Sequence, residues 1–296
     1  MNALLLQTFI PEKTHKWALH RKHNRADRED SSKYTLYLIR HGEAGHNVVE
    51  NEAKKKALNE ALEEGYELDS PETLRRVEEA RRIVLHDPTL FDSPLSKQGE
   101  EQVRKSHKRL KDLSLELPPP TEILVSPLER TLQTADILFP GHTNIRVREQ
   151  LRERNTGLAC DKHQNSEDLR KRLSFQRFSM DQLQSQSILD NVLSGLQDKE
   201  LGEGLLHGNS DHYSDHKMTI EDKEALRNRT KILFQMLASS KHQSIAVVTH
   251  KGYLRELERG QLGGTDATEF ANGEVRVYEV TISNRTLDAL KARRLR

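Results

Sequence analysis

The chain has 296 residues, 31% of them charged, and a mean hydropathy of −0.80, which suits one large core with insertions and long solvated helices or loops around it. A formal net charge of +1 supplies no global field toward nucleic acid or membrane, so neither is expected as a partner and any anion binding must be local. The single cysteine, Cys160, excludes an intramolecular disulfide framework, and no apolar run approaches the roughly 20 residues that span a bilayer.

In chain order, "MNALLLQTFIPEKTHKW" has an apolar patch without a basic stretch before it or a small-residue cleavage pattern after it, so it does not read as a secretory signal. A cytoplasmic location is expected, with a mitochondrial presequence as the alternative, against which the acids of "RADREDSSK" argue. Residues 1–33 form an expected surface arm, and 34–283 the main domain. Core strands show as short β-branched or apolar runs at 34–39, 121–125, 145–149, 244–248 and 274–282. Helical patterns occupy 97–112, 127–138 and 220–239, the last preceded by Thr219 as N-cap with Asp222 in a capping box. Residues 50–88 read as two charged helices, the second capped by Ser70 with Pro71 at its first position. Residues 163–217 read as polar and partly helical, and 284–296 as a solvated basic tail. The alternation predicts a three-layer α/β/α domain, its mostly parallel central sheet carrying helices on both faces, with 50–88 and 163–217 as cap insertions over one rim.

Ligands of such sheets bind at the carboxyl ends of the strands. The first strand runs out into Arg40-His41-Gly42-Glu43, the second into "SPLERT" with Arg130, and a third into "THKG" with His250. Two arginines and two histidines gathered at one edge repel one another unless an anion sits among them, and guanidinium forks match phosphate oxygens. An imidazole held neutral by neighbouring cations keeps a nitrogen free to attack phosphorus while the arginines stabilise the equatorial oxygens. The leaving oxygen needs a proton donor. Glu153 in "LRERNTG" is the candidate and Glu43 its rival.

These segments resemble the histidine phosphatase superfamily, in the branch of the cofactor-dependent phosphoglycerate mutases and their phosphatase relatives. "RHGEAGHN" is similar to the nucleophile motif, "DSPLSKQGEEQ" to the helix-opening motif, "SPLERTLQTA" to the second-arginine motif and "VVTHKG" to the second-histidine motif. "RNTGLACDKH", "LFDSPLSKQGEEQ" and "FANGEVRVYEV" resemble the phosphoglycerate-mutase-like proteins of plants and fungi. The resemblance implies His41 as phosphorylated nucleophile, Arg40, Arg130 and His250 as phosphate ligands, Glu153 as general acid and then base, and Asn47 in the phosphate pocket. It implies a small phosphorylated substrate, no metal and no cofactor, with 2,3-bisphosphoglycerate entering only if the protein is a mutase.

Departures from the mutase pattern decide between the two activities. Ala44 and His46 stand where mutases carry Ser and Trp, "ERNTG" replaces "ERHYG", and the Arg-Arg pair is missing, with "LRKR" at 169–172 a partial substitute for a carboxylate clamp. A phosphatase is therefore expected, with phosphoglycerate mutase as the enzyme alternative and a silent phosphate-binding domain as the non-enzyme one. Lys251 adds a cation at the rim, selecting a second negative charge or else facing solvent. The run 207–216 with His207, His212 and His216 matches no compact zinc spacing and reads as a polar loop. Cys160 reads as a small buried residue.

Overall fold

The computed structural model describes residues 30–183, 220–264 and 267–296. Among the described residues, seven strands form one mixed sheet in the order β4-β3-β2-β5-β1-β6-β7. They are β1 (Ser31–Arg40), β2 (Glu122–Val125), β3 (Ile145–Val147), β4 (Phe178–Ser179), β5 (Ser244–Thr249), β6 (Val275–Ser283) and β7 (Ala289–Arg294). From β4 through β1 every pairing is parallel, and β6 and β7 add an antiparallel flank. The helices are α1 (Gly45–Glu63), α2 (Pro71–Leu85), α3 (Lys97–Leu113), α4 (Glu129–Leu138), α5 (Ser166–Lys171), α6 (Lys223–Ala238) and α7 (Lys251–Arg259).

Successive side chains of a strand point to opposite faces, so each core strand must be apolar at every position when both faces are covered. In β1, Tyr37 and Ile39 pack with Val103 and Leu110 of α3 and Leu132 and Ala135 of α4, whereas Leu36 and Leu38 pack with Leu233 and Phe234 of α6 and Leu254 and Leu257 of α7. These two clusters are the interfaces of the three layers. Each aliphatic side chain fully withdrawn from water contributes roughly 1.5–3 kcal/mol, and the parallel register sets Arg40 beside Thr249 at one edge of the sheet.

Several expectations are revised. The first strand starts at Ser31, not 34, and residues 1–29 of the expected arm lie outside the described residues. The first cap helix starts at Gly45, inside the nucleophile-like motif, while the second has the expected Ser70 cap accepting from Thr73 N and Pro71 inside its start. Asp222 itself is the N-cap of α6, its carboxylate accepting from Ala225 N at 2.7 Å; Thr219 lies outside the described residues. The region 163–217 supplies strand β4 as well as α5, because Phe178 is buried against the core. Its remainder from 184, including the run 207–216, lies outside the described residues. The stretch 284–296 is not a solvated tail, since β7 pairs antiparallel with β6 and buries Ala289 and Ala292 while Lys291 and Arg293 face outward. A register shift interrupts that pairing between Thr281 and Ile282. No helix among the described residues is long and apolar enough to cross a membrane.

Candidate active site

The chain leaves β1 and β5 at the same edge, where His41 N donates to Thr249 O at 3.1 Å. His41 and His250 follow those strands, both buried, with ring centroids 5.1 Å apart. His41 Nδ1 stands 2.6 Å from the Gly42 carbonyl oxygen. A carbonyl oxygen only accepts, so the proton of the neutral ring sits on Nδ1 and Nε2 presents its lone pair. Burial, then the charges of Arg130 and Arg40, hold the His41 pKa well below the usual imidazole range. Burial, Arg130 and His41 do the same to His250, whose Nε2 lies 2.7 Å from Ser126 Oγ at the end of β2.

Arg130, in the first turn of α4, is 1% exposed. Its Nη1 donates to the Cys160 carbonyl oxygen at 2.7 Å, and Arg40 Nη1 donates to the Phe270 carbonyl oxygen at 2.6 Å. Among the described residues, neither arginine is hydrogen-bonded to a carboxylate. The nitrogens Arg40 Nε, Arg130 Nε, His46 Nδ1 and His250 Nδ1 are buried without a hydrogen-bond partner. Unpaired buried donors on two cations define a place suited to an oxyanion. Burial lowers the pKa of Arg40, the leading cause, while Glu153 counters it.

Glu153 reaches this place from the loop after β3. Its Oε1 accepts from Arg154 N at 2.9 Å and its Oε2 from Gly252 N at 3.2 Å. The second contact depends on glycine, because a Cβ at residue 252 would stand 2.4 Å from Glu153 Oε1. The glycine of "THKG" is thus a seat for the carboxylate.

The rival Glu43 turns elsewhere. Its Oε1 accepts from Ser96 Oγ at 2.9 Å, its backbone N donates to Gln102 Oε1 at 2.9 Å, and its carbonyl accepts from Ser96 N at 2.9 Å. Ser96 also caps α3, accepting from Gly99 N. A Cβ at Gly99 would lie 2.0 Å from the Glu43 carbonyl oxygen. The Ser, Gly and Gln of "LSKQGEEQ" therefore form a scaffold that fixes the loop after β1.

Arg40, His41, Arg130 and Glu153 line a cavity of about 250 Å³ together with Asn47, Glu50, Arg81, Leu85, Arg154, Asp161, Lys251 and Arg255. The structure thus brings Arg40, His41, Asn47, Arg130, Glu153 and Lys251 to one cavity, with His250 behind it against His41. The first cap insertion supplies a wall through Asn47 and Glu50 of α1 and Arg81 of α2, and Arg81 Nε is 2.8 Å from Glu50 Oε1. Lys251 is 42% exposed, its Nζ 3.5 Å from Glu269. The basic run 169–172 does not join them: Arg170 pairs with Asp181 and Arg172 with Glu129.

Sequence reasoning passed over Arg81, Arg154, Asp161 and Arg255. Asp161 is buried, accepts from Thr156 N at 3.2 Å and from its hydroxyl, and has its carboxyl pKa raised by burial. Cys160 contributes its carbonyl rather than its thiol, which burial pushes up to about 12.

Residues 89–187 match the model of the histidine phosphatase superfamily (branch 1). The matched stretch includes Arg130 and Glu153, while His41 and His250 come to it through the sheet. Phosphomutase-like protein 3 of Candida albicans is 30% identical over 125 residues, 42% of this chain and 34% of that protein, so the match spans about a third of the curated relative's length. Among solved structures, the putative alpha-ribazole-5'-P phosphatase of Escherichia coli is 17% identical with a TM-score of 0.44, covering 89% of this chain and 96% of that one. A mycobacterial glucosyl-3-phosphoglycerate phosphatase is 16% identical with a TM-score of 0.45, covering 89% and 97%.

Proposed function

We propose that this histidine phosphatase relative hydrolyses small phosphomonoesters through a phosphohistidine at His41. The observation that carries the reading is the bond between His41 Nδ1 and the Gly42 carbonyl, which leaves a neutral Nε2 among Arg40, Arg130 and His250. In the first half-reaction His41 Nε2 attacks phosphorus, the bond from phosphorus to the ester oxygen breaks, and Glu153 gives its proton to the leaving alcohol. Arg40, Arg130 and His250 hold the equatorial oxygens; removing one such donor typically costs roughly 10²–10³ in rate. In the second, Glu153 takes a proton from water, the water oxygen attacks phosphorus, and the bond to His41 Nε2 breaks to release phosphate.

A cavity of about 250 Å³ lies below the roughly 300–1,000 Å³ of pockets for drug-sized ligands, which supports a small leaving group. Arg154 in its lining, with Arg81, Lys251 and Arg255 beside it in pairs with Glu50, Glu256 and Glu269, supports one bearing a further negative charge. Engagement of Arg170 and Arg172 with acids outside the cavity supports hydrolysis over mutase chemistry, which needs a second clamp to retain the product for re-phosphorylation. The deciding assay pairs phosphate release from a panel of phosphomonoesters with interconversion of 3- and 2-phosphoglycerate in the presence of 2,3-bisphosphoglycerate. Release without isomerisation is expected; rapid isomerisation assigns a mutase, and binding without turnover a silent phosphate-binding domain.

A further inference from the structure

A third imidazole, His46, lines the same cavity and is 7% exposed. Its protonation follows from its neighbours. The Ala44 backbone N donates to Asn47 Oδ1 at 3.1 Å, and because a backbone N–H cannot accept, the Asn47 amide is fixed with Nδ2 toward His46 Nε2, 3.0 Å away. An amide NH2 only donates, so His46 Nε2 must offer its lone pair and the ring proton sits on Nδ1. A second ring proton would set N–H against N–H, and burial, then Arg130 and Arg40, keep the ring neutral by lowering its pKa well below the imidazole range.

His46 Nδ1–H is then a buried donor without an acceptor, in a ring close enough to Arg40 and Arg130 to feel both charges. Buried donors in native proteins find partners, and the ligand able to satisfy this one together with the two unpaired guanidinium nitrogens is an oxyanion. Building on the phosphatase reading above, we propose that His46 contacts the substrate, donating from Nδ1–H to a non-bridging phosphoryl oxygen in both the ester and the phosphohistidine. Being neutral, it grips the oxygen without adding a further fixed charge to a pocket that must still release phosphate. Asn47 acts through it as a positioning residue that sets its tautomer.

The test compares wild type, His46→Phe and His46→Asn, in which the amide N–H falls near the imidazole Nδ1. Orthovanadate and orthophosphate binding are measured by calorimetry beside kcat/KM on an aryl phosphate. His46→Phe is expected to weaken both anions and lower kcat/KM by roughly 10- to 100-fold, the range for a hydrogen bond to a charged acceptor, with His46→Asn recovering most of the loss. Vanadate binding by His46→Phe within about twofold of wild type overturns the assignment, on the scale set by that range. Wild type that binds neither anion and hydrolyses no ester overturns the phosphatase reading and this assignment together, a pattern distinct from an active wild type with an indifferent variant. Should His46→Phe misfold, proton NMR of histidine-labelled wild type decides: the Nδ1–H resonance absent from His46→Asn must move downfield on adding orthophosphate, and an unmoved resonance at saturation overturns the proposal.

Discussion

Gly252→Ala separates the seat of the carboxylate from the stability of the fold. The new Cβ would stand 2.4 Å from Glu153 Oε1 and 3.2 Å from its Cδ, where ordinary contact begins at 3.4 Å. The carboxylate must therefore retreat by roughly 1 Å, a displacement that in an active site can cost about 10²-fold. Nothing else must give, since the obstructing atoms end a flexible side chain and Gly252 is not among the glycines with positive φ. Alanine is also the better helix former, by about 0.8–1.0 kcal/mol in a helix interior. The expected result is an unchanged or slightly raised Tm with kcat/KM about 100-fold lower on an alkyl phosphomonoester, and a smaller loss on an activated aryl phosphate, whose leaving group needs no proton. Initial rates on the two esters and a thermal melt decide it. A variant hydrolysing the alkyl ester at the wild-type rate would refute both the seat and the acid role of Glu153.

Further outcomes are expected on the same grounds. His41→Ala abolishes turnover and the acid-labile phosphoenzyme detected by labelling; a variant that still turns over removes His41 as nucleophile. Glu153→Gln slows alkyl esters far more than aryl esters, whereas Glu43→Gln, whose amide oxygen still accepts from Ser96, stays within a few-fold of wild type. Equal losses on both esters in Glu153→Gln would move the acid role to another carboxyl such as Asp161. Stability should fall as pH drops from 7 to 5. His41, His46 and His250 are held neutral in the fold but protonate near 6.5 when unfolded, so below that pH each costs about 1.4 kcal/mol per unit until its lowered folded pKa is reached. His163, raised in pKa beside Glu149 despite its burial, contributes in the opposite sense, one imidazole against three, and the carboxyls of Asp92 and Asp161, raised by burial, join it only as the pH nears the carboxylate range. A Tm that is flat or rising toward pH 5 would contradict this.

The strands with the plainest sequence signal were those buried on both faces. "YTLYLI" and "SIAVV" are continuous apolar or β-branched runs because helices cover both sides of them, and their parallel pairing explains why motifs more than 200 residues apart meet. Ser70-Pro71 announced its helix start because capping chemistry is local. What escaped reading depends on partners distant in sequence. Phe178–Ser179 is too short to show a period, and "ALKARR" reads as a basic tail until β6 pairs with it. Arg81 joins the cavity only because α2 folds back along α1 through contacts such as that with Glu50. The service of Cys160 lies in its backbone carbonyl, which residue identity does not encode, and the proton position on His46 needs Asn47 and Ala44 placed in space.

The two margins of the sheet bear on self-association. A strand with unpaired backbone groups is a template on which another chain can add. Among the described residues, β4 presents two residues at one margin, too few to hold a visiting strand in register. At the other, β7 turns outward Lys291, whose charge would oppose the same strand of a second molecule, beside Arg293 paired with Glu279, and the register shift between Thr281 and Ile282 bends the flank away from flatness. The basic residues that read as a solvated tail in the sequence thus lie along the border of the seven strands formed by the described residues.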